Sequence, residues 1–154
     1  MKNILLTANS AISFNSLYRL LSKDLIPLYP GFTQWLEQKV ESISKGKAHC
    51  TTAWYRNDLV GALISTPKGN RIHKISTLYI RNRYQRLGIG SELLKYQVLE
   101  YERIGVTSCY ITLTERKLEY YESLFKMNEF SFGFKLEDRY IDGANELIFK
   151  REIQ

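Results

Sequence analysis

Apolar and polar positions along the 154 residues change period several times, and each change marks an element. Residues 2–8 alternate as a strand. Ser16 to Ser22 and Thr33 to Ser44 carry helical spacing, separated by a break from Pro27 to Pro30-Gly31. In the second helix Leu36, Val40 and Ile43 share one face, and Gly46 stands just past its end. Ala48–Arg56 and Leu59–Thr66 read as strands joined by a tight turn at Asn57-Asp58, and Pro67-Lys68-Gly69-Asn70 as a second turn. Lys74–Ile80 is a further strand. Gly88-Ile89-Gly90 leads into a helix from Ser91 to Ile104, stopped by Gly105. Ser108–Thr114 is a strand and Lys117–Met127 a helix. Phe130–Arg139 and Asn145–Glu152 form a final hairpin around Asp142-Gly143. The order β-α-α-β-β-β-α-β-α-β-β predicts one α+β (mixed α/β) domain over 1–154, built on a central, mostly antiparallel sheet.

Composition narrows the class. Hydrophobic residues are 44% and charged residues 25%, and 11 Tyr, 7 Phe and 2 Trp supply ample apolar surface for a packed core. No apolar run reaches the ~20 residues that span a bilayer. The short run Ile4-Leu5-Leu6, soon broken by Asn9, Ser10 and Ser13, reads as an edge strand and not a signal peptide, which predicts a cytoplasmic protein without membrane attachment. Cys50 and Cys109 belong to no CxxC or Cys/His cluster, so neither a metal site nor a disulfide framework is expected.

The net charge is +6, and it is uneven: residues 1–77 hold 10 Lys/Arg against 4 Asp/Glu, whereas 78–154 hold 12 of each. From Lys39 to Arg86 ten basic residues face two acidic ones. Such a zone suits a polyanion, either nucleic acid or a cofactor with several phosphates.

The segment that carries chemistry is Lys74–Ser91: a strand, a short basic loop with Arg81, Arg83, Gln85 and Arg86, then two glycines at a helix start. Amides at a helix N-terminus lack intrahelical partners, and glycine lets backbone approach a ligand, so the unit makes a pyrophosphate cradle. It is not a Walker A loop, since no Gly-Lys-Ser/Thr follows, nor a dinucleotide fingerprint, since the third glycine is missing.

Gln85-Arg86-Leu87-Gly88-Ile89-Gly90 resembles the Q/R-x-x-G-x-G/A signature of the GCN5-related N-acetyltransferases (GNAT), and the order of elements matches that family over nearly the whole chain. The resemblance implies a sheet splayed around an acyl-CoA site, with helices on both faces. It implies acetyl-CoA as acyl donor, held by the backbone of Leu78 and Ile80 and by Gln85, Arg86, Leu87, Gly88, Ile89, Gly90 and Ser91. It further implies acetyl transfer to a primary amine by direct attack, the acceptor being a small molecule or peptide. The side chains of Leu87 and Ile89 are open to a second role as core plugs.

The catalytic end departs from the family pattern. The tyrosine that usually protonates the departing thiolate is replaced by Phe125, the asparagine at the start of that helix by Leu118, and the glycine before Phe130 by Glu129. Tyr121, one helical turn before Phe125, is the candidate substitute; the alternative is a packing residue with its hydroxyl in water. Glu115, at a strand end, is the candidate to draw an amine or order a base water, the alternative being a solvated acidic stripe with Glu119 and Glu122. Two other functions remain open: an acyl-CoA sensor without turnover, suggested by Phe125 and Leu118, and acetylation of charged tRNA, suggested by the basic zone. A homodimer through the edge of the final hairpin is a further expectation.

Overall fold

A computed structural model describes residues 3–154. Strand β1 (Ile4–Ala8) is followed by helices α1 (Phe14–Leu25) and α2 (Phe32–Ser44) and then by β2 (His49–Tyr55), β3 (Asp58–Pro67) and β4 (Ile72–Ile80). Helix α3 (Ile89–Ile104), β5 (Ser108–Thr114), α4 (Leu118–Met127), β6 (Ser131–Leu136) and β7 (Glu146–Glu152) complete the chain, with short 3-10 turns at Asn82–Tyr84 and Glu115–Lys117. The element order is the one the sequence predicts, and Lys2 of the predicted first strand lies outside the described residues.

The seven strands form one sheet in the order β1-β2-β3-β4-β5-β7-β6, antiparallel throughout except between β4 and β5. β1 is an edge strand, as expected. The two faces carry separate cores. Leu17, Leu20, Leu21, Phe32, Leu36 and Ile43 of α1 and α2 cover Ala62 and Ile64 on one face. Leu93, Leu94, Val98 and Tyr101 of α3, with Phe125 of α4, cover Leu63, Ile75 and Ile111 on the other.

Several boundaries differ from the sequence expectation. Ser13 caps α1 with its hydroxyl on the Ser16 amide (3.1 Å), so this helix starts two residues before the expected Ser16. The β2–β3 turn falls on Arg56-Asn57, and Asp58 already pairs with Tyr55. The last hairpin is not tight: β6 ends at Leu136 and β7 begins at Glu146. Asp142 does make the local turn its sequence suggests, its Oδ1 accepting from the Ala144 amide at 3.0 Å. Tertiary anchors widen the loop around it, since Arg116 pairs with Asp142 at 2.6 Å and the Ile141 amide donates to Leu28 O at 3.1 Å.

Candidate active site

The site originates where two neighbouring strands separate. β4 and β5 pair only from Ile72↔Ser108 to Ile75↔Ile111. At that point β4 carries an irregularity: Ile64 pairs with Thr77 but Ser65 with Ile75, leaving Ser76 as an extra residue. Beyond it the strands splay. The Arg81 amide donates to Val60 O at 2.8 Å, so alternation along β4 turns the amides of Leu78 and Ile80 away from β3, into the gap.

Below the gap lies the glycine loop. Gly88 caps α3 in the left-handed region at φ +87°, and nothing lies within 4 Å of where a Cβ would be. The first intrahelical bond runs from the Glu92 amide to Gly88 O (3.0 Å), which leaves the amides of Ile89, Gly90 and Ser91 without a helical carbonyl. The helix thus starts at Ile89, two residues before the expected Ser91. Gly90 sits inside the first turn because a Cβ there would lie 3.3 Å from Leu124 of α4.

The other loop residues divide between ligand-facing and bracing roles. Gln85 Nε2 donates to Ile80 O (2.8 Å) and Asn82 Oδ1 (3.1 Å), closing the loop back onto β4. Arg86, at φ +62°, places its guanidinium 5.1 Å from the Tyr120 ring centroid. Ser91 Oγ accepts from Asn128 Nδ2 at 3.2 Å. Ile89 is buried as a core plug, whereas Leu87 is 44% exposed. Open space above Gly88, free amides and an outward helix dipole together fit an anionic diphosphate.

The gap widens into a cavity of about 670 Å³. Its walls come from β4 and β5, the α1–α2 connection, the first turns of α4 and the start of β7. Tyr121 and Phe125 both line it, together with Leu78 and Gln85. Burial pushes the Tyr121 phenol up to about 12, with Tyr120, Asp24 and Tyr29 adding to the effect, so Tyr121 keeps its proton at neutral pH. Glu115 is not brought to the cavity. Its carboxylate accepts from the Asn145 amide (3.1 Å) and Asn145 Nδ2 (3.2 Å), clamping the β6–β7 loop.

The cavity has polar groups that no sequence pattern pointed to. Glu146 and Lys74 line it, and neither makes an ion pair among the described residues. Burial draws the Lys74 ammonium below its ordinary value, with Lys68 acting in the same direction and Glu146 against it. The Thr114 hydroxyl, 3% exposed, has no hydrogen-bond partner among the described residues. Asp24 also lines the cavity, but Tyr79 Oη donates to it at 2.6 Å, which ties the end of α1 to β4. Over one end, Tyr29 of the α1–α2 connection and Tyr140 of the β6–β7 loop meet edge to face, with hydroxyls 3.3 Å apart.

Much of the basic zone is locally engaged. Lys39 Nζ donates to Thr66 Oγ1 at 2.9 Å, while Arg56 and Arg83 each lie 5.2 Å from the ring of the adjacent tyrosine. Among the described residues no group of three or more His, Cys, Asp or Glu could hold a metal ion, and no helix is long and apolar enough to cross a membrane.

Comparison with known proteins is consistent with this geometry. The family described as Acetyltransferase (GNAT) family matches residues 14–130. No curated protein matches the chain. Among solved structures, a GNAT family acetyltransferase from Elizabethkingia anophelis with acetyl-CoA bound superposes with a TM-score of 0.75 at 15% identity, covering 99% of each chain. The Bacillus subtilis acetyltransferase in complex with CoA gives 0.78 at 15% identity, over 98% of this chain and 99% of that one. The ribosomal-protein-S18-alanine N-acetyltransferase from Escherichia coli gives 0.81 at 13% identity, over 98% and 94%.

Proposed function

Since the chain belongs to the acetyltransferase (GNAT) family, we propose that it is a cytoplasmic N-acetyltransferase that moves an acetyl group from acetyl-CoA to a primary amine. The observation that carries this reading is the alignment of two features on one continuous path. The cavity-facing amides of Leu78 and Ile80 lead directly to the open, left-handed Gly88 at the start of α3. A strand-like pantetheine arm suits the first feature and a pyrophosphate the second. Solved relatives in fold hold acetyl-CoA or CoA, which supports the same donor.

In this reading the acyl donor supplies an activated carbonyl, and the residues of the chain do the rest. The amides on the cavity side of β4 polarise the carbonyl oxygen. The amine nitrogen attacks the carbonyl carbon directly, so a C–N bond forms as the C–S bond breaks. The ammonium first loses one proton to solvent. Tyr121, which holds its proton at neutral pH and lines the cavity, protonates the departing thiolate, and the second proton shed by the nitrogen as the amide forms restores the phenol.

The test is thiol release from acetyl-CoA against a panel of amines and short peptides, with product mass confirming one added acetyl group. Phe125 favours a second reading, a sensor that binds acyl-CoA without turnover, because it stands where the family usually has its acid. A rise in melting temperature with acetyl-CoA, combined with no thiol release from any amine, would select the sensor. Charged tRNA belongs in the same panel because of the Lys39–Arg86 basic zone, and its binding should be steeply salt-dependent if it is the acceptor.

A further inference from the structure

The cavity wall carries an ammonium without an ion pair among the described residues, Lys74, a buried hydroxyl without a hydrogen-bond partner, Thr114, and a carboxylate, Glu146, that accepts from the Tyr140 hydroxyl but meets no cation. Ile75 is in the core beneath α3, so Lys74 beside it points to the opposite face of the sheet, into the cavity. Thr114 and Glu146 are cross-strand partners and therefore share a face. Leu113 and Leu147, the next residues along, are both in the α3-side core, which places Thr114 and Glu146 on the cavity side with Lys74.

Each of these groups is costly as it stands. A half-buried ammonium without an ion pair and a buried hydroxyl without a hydrogen bond lose hydration and gain little in return, and the half-buried Glu146 carboxylate, though it accepts from the Tyr140 hydroxyl, keeps an unpaired charge. Lys74 and Glu146 sense each other's charge, yet they do not approach within the 4.0 Å of an ion pair. The other charges on the cavity wall have different placements: Asp24 is taken by Tyr79, and Lys117 is at the exposed rim. Nor can Lys74 serve the donor's diphosphate, because it precedes Ile80 by six residues, about 20 Å of extended strand. The same cavity is lined by the aromatic rings of Tyr29, Phe32 and Trp35.

We propose that the acceptor is a small amine that also carries an anionic group: Glu146 and Thr114 receive its ammonium, Lys74 receives its anion, and the aromatic wall packs its spacer. This rests on reading the cavity as the acceptor chamber of an acetyltransferase. It excludes bare alkylamines and diamines as preferred acceptors, since these leave Lys74 unpaired or facing a second cation. The Tyr29–Tyr140 contact roofs one end of the cavity, which favours short acceptors over folded protein.

The experiment uses four amines of similar length: 4-aminobutyrate (carboxylate), O-phosphoethanolamine (phosphate), n-butylamine and putrescine. With acetyl-CoA saturating, one or both acidic amines should release thiol with kcat/KM at least ~10-fold above the other two. Lys74→Met should raise KM for the acidic amines by about tenfold or more and leave n-butylamine unchanged. Glu146→Gln should weaken all four. A second measurement does not depend on turnover: the acidic amines should raise the melting temperature of CoA-saturated wild-type protein but not of Lys74→Met. If no amine releases thiol but this Lys74-dependent shift persists, the acetyltransferase reading fails while the cavity's preference for an amine that carries an anionic group stands. The proposal is overturned if n-butylamine or putrescine matches the acidic amines, if Lys74→Met affects all amines alike, or if no acidic amine binds.

Discussion

The ring of Tyr121 stacks on that of Phe125, with centroids 5.8 Å apart and planes 24° from parallel. Phe125 is fully buried, while Tyr121 is the phenol one turn nearer the open cavity. Tyr121→Phe preserves this stack and removes only the hydroxyl. It should lower kcat by at least tenfold, about 1.4 kcal/mol, with acetyl-CoA affinity nearly unchanged. Phe125→Tyr in that background should partly restore the rate. An unchanged kcat in the single variant would assign Tyr121 to packing and the proton to water.

The two glycines at α3 should fail for different reasons. Gly88→Asp has room for its side chain but places a negative charge above the free amides and strains a left-handed residue, by about 1–2 kcal/mol. Gly90→Asp must also displace Leu124. Both should abolish the rise in melting temperature that acetyl-CoA gives the wild type. A full wild-type shift in both variants, with circular dichroism intact, would refute the cradle.

The Arg86 guanidinium lies over the Tyr120 ring, a contact that links the loop to α4, and in the proposed reading its cation would serve the phosphates. Arg86→Ala should weaken CoA several-fold more than it weakens pantetheine, which lacks phosphates. Calorimetric titration of both ligands provides the comparison, and equal losses would count against a phosphate role.

A fourth expectation concerns pH. His73 is buried, with Nδ1 3.3 Å from Ser65 Oγ, its ring edge-on to Tyr101 at 5.0 Å and stacked on His49 at 6.1 Å. Burial, and then His49, draw its pKa below the ordinary value of 6.5. The unfolded chain therefore binds this proton more readily than the native state does. The stability contributed by neutral His73 is complete above pH ~6.5 and is lost as pH falls through the lower native value. Urea unfolding at about pH 7.5 and 5.5 should show a decline that His73→Phe reduces. An identical decline in both proteins would place the titration elsewhere.

The sequence showed the scaffold more clearly than the chamber. Gly105 ends α3 in the left-handed region, as its position past the last apolar residue predicted. The loop from Gln85 to Ser91 could be singled out as a candidate because its groups lie in contiguous backbone. Its helix start was read two residues late because glycine counts locally as a breaker. The tight approach of Leu124, thirty-four residues away, is a reason for glycine within the turn that no local pattern carries. Lys74, Thr114 and Glu146 gave no signal, since nothing in their neighbours' periodicity encodes the splay beyond Ile75 and Ile111 that brings them to one cavity. Glu115 misled for the converse reason. A carboxylate at a strand end has the same local pattern whether it faces a substrate or clamps a loop, and here Asn145 decides it.

Four rungs, Ile72↔Ser108 to Ile75↔Ile111, make up the strand pairing between the β1–β4 half of the sheet and the β5–β7 half, backed by the shared core beneath α3. Beyond those rungs the gap-facing amides of Leu78 and Ile80 lack a strand partner, and they should exchange with solvent through small openings rather than global unfolding. A ligand that pairs with Leu78 and Ile80 acts as a partial eighth strand. It should slow exchange of these gap-facing amides far more than of amides in the paired strands β2 and β3, so that loading the cleft completes a ladder that the chain by itself leaves open.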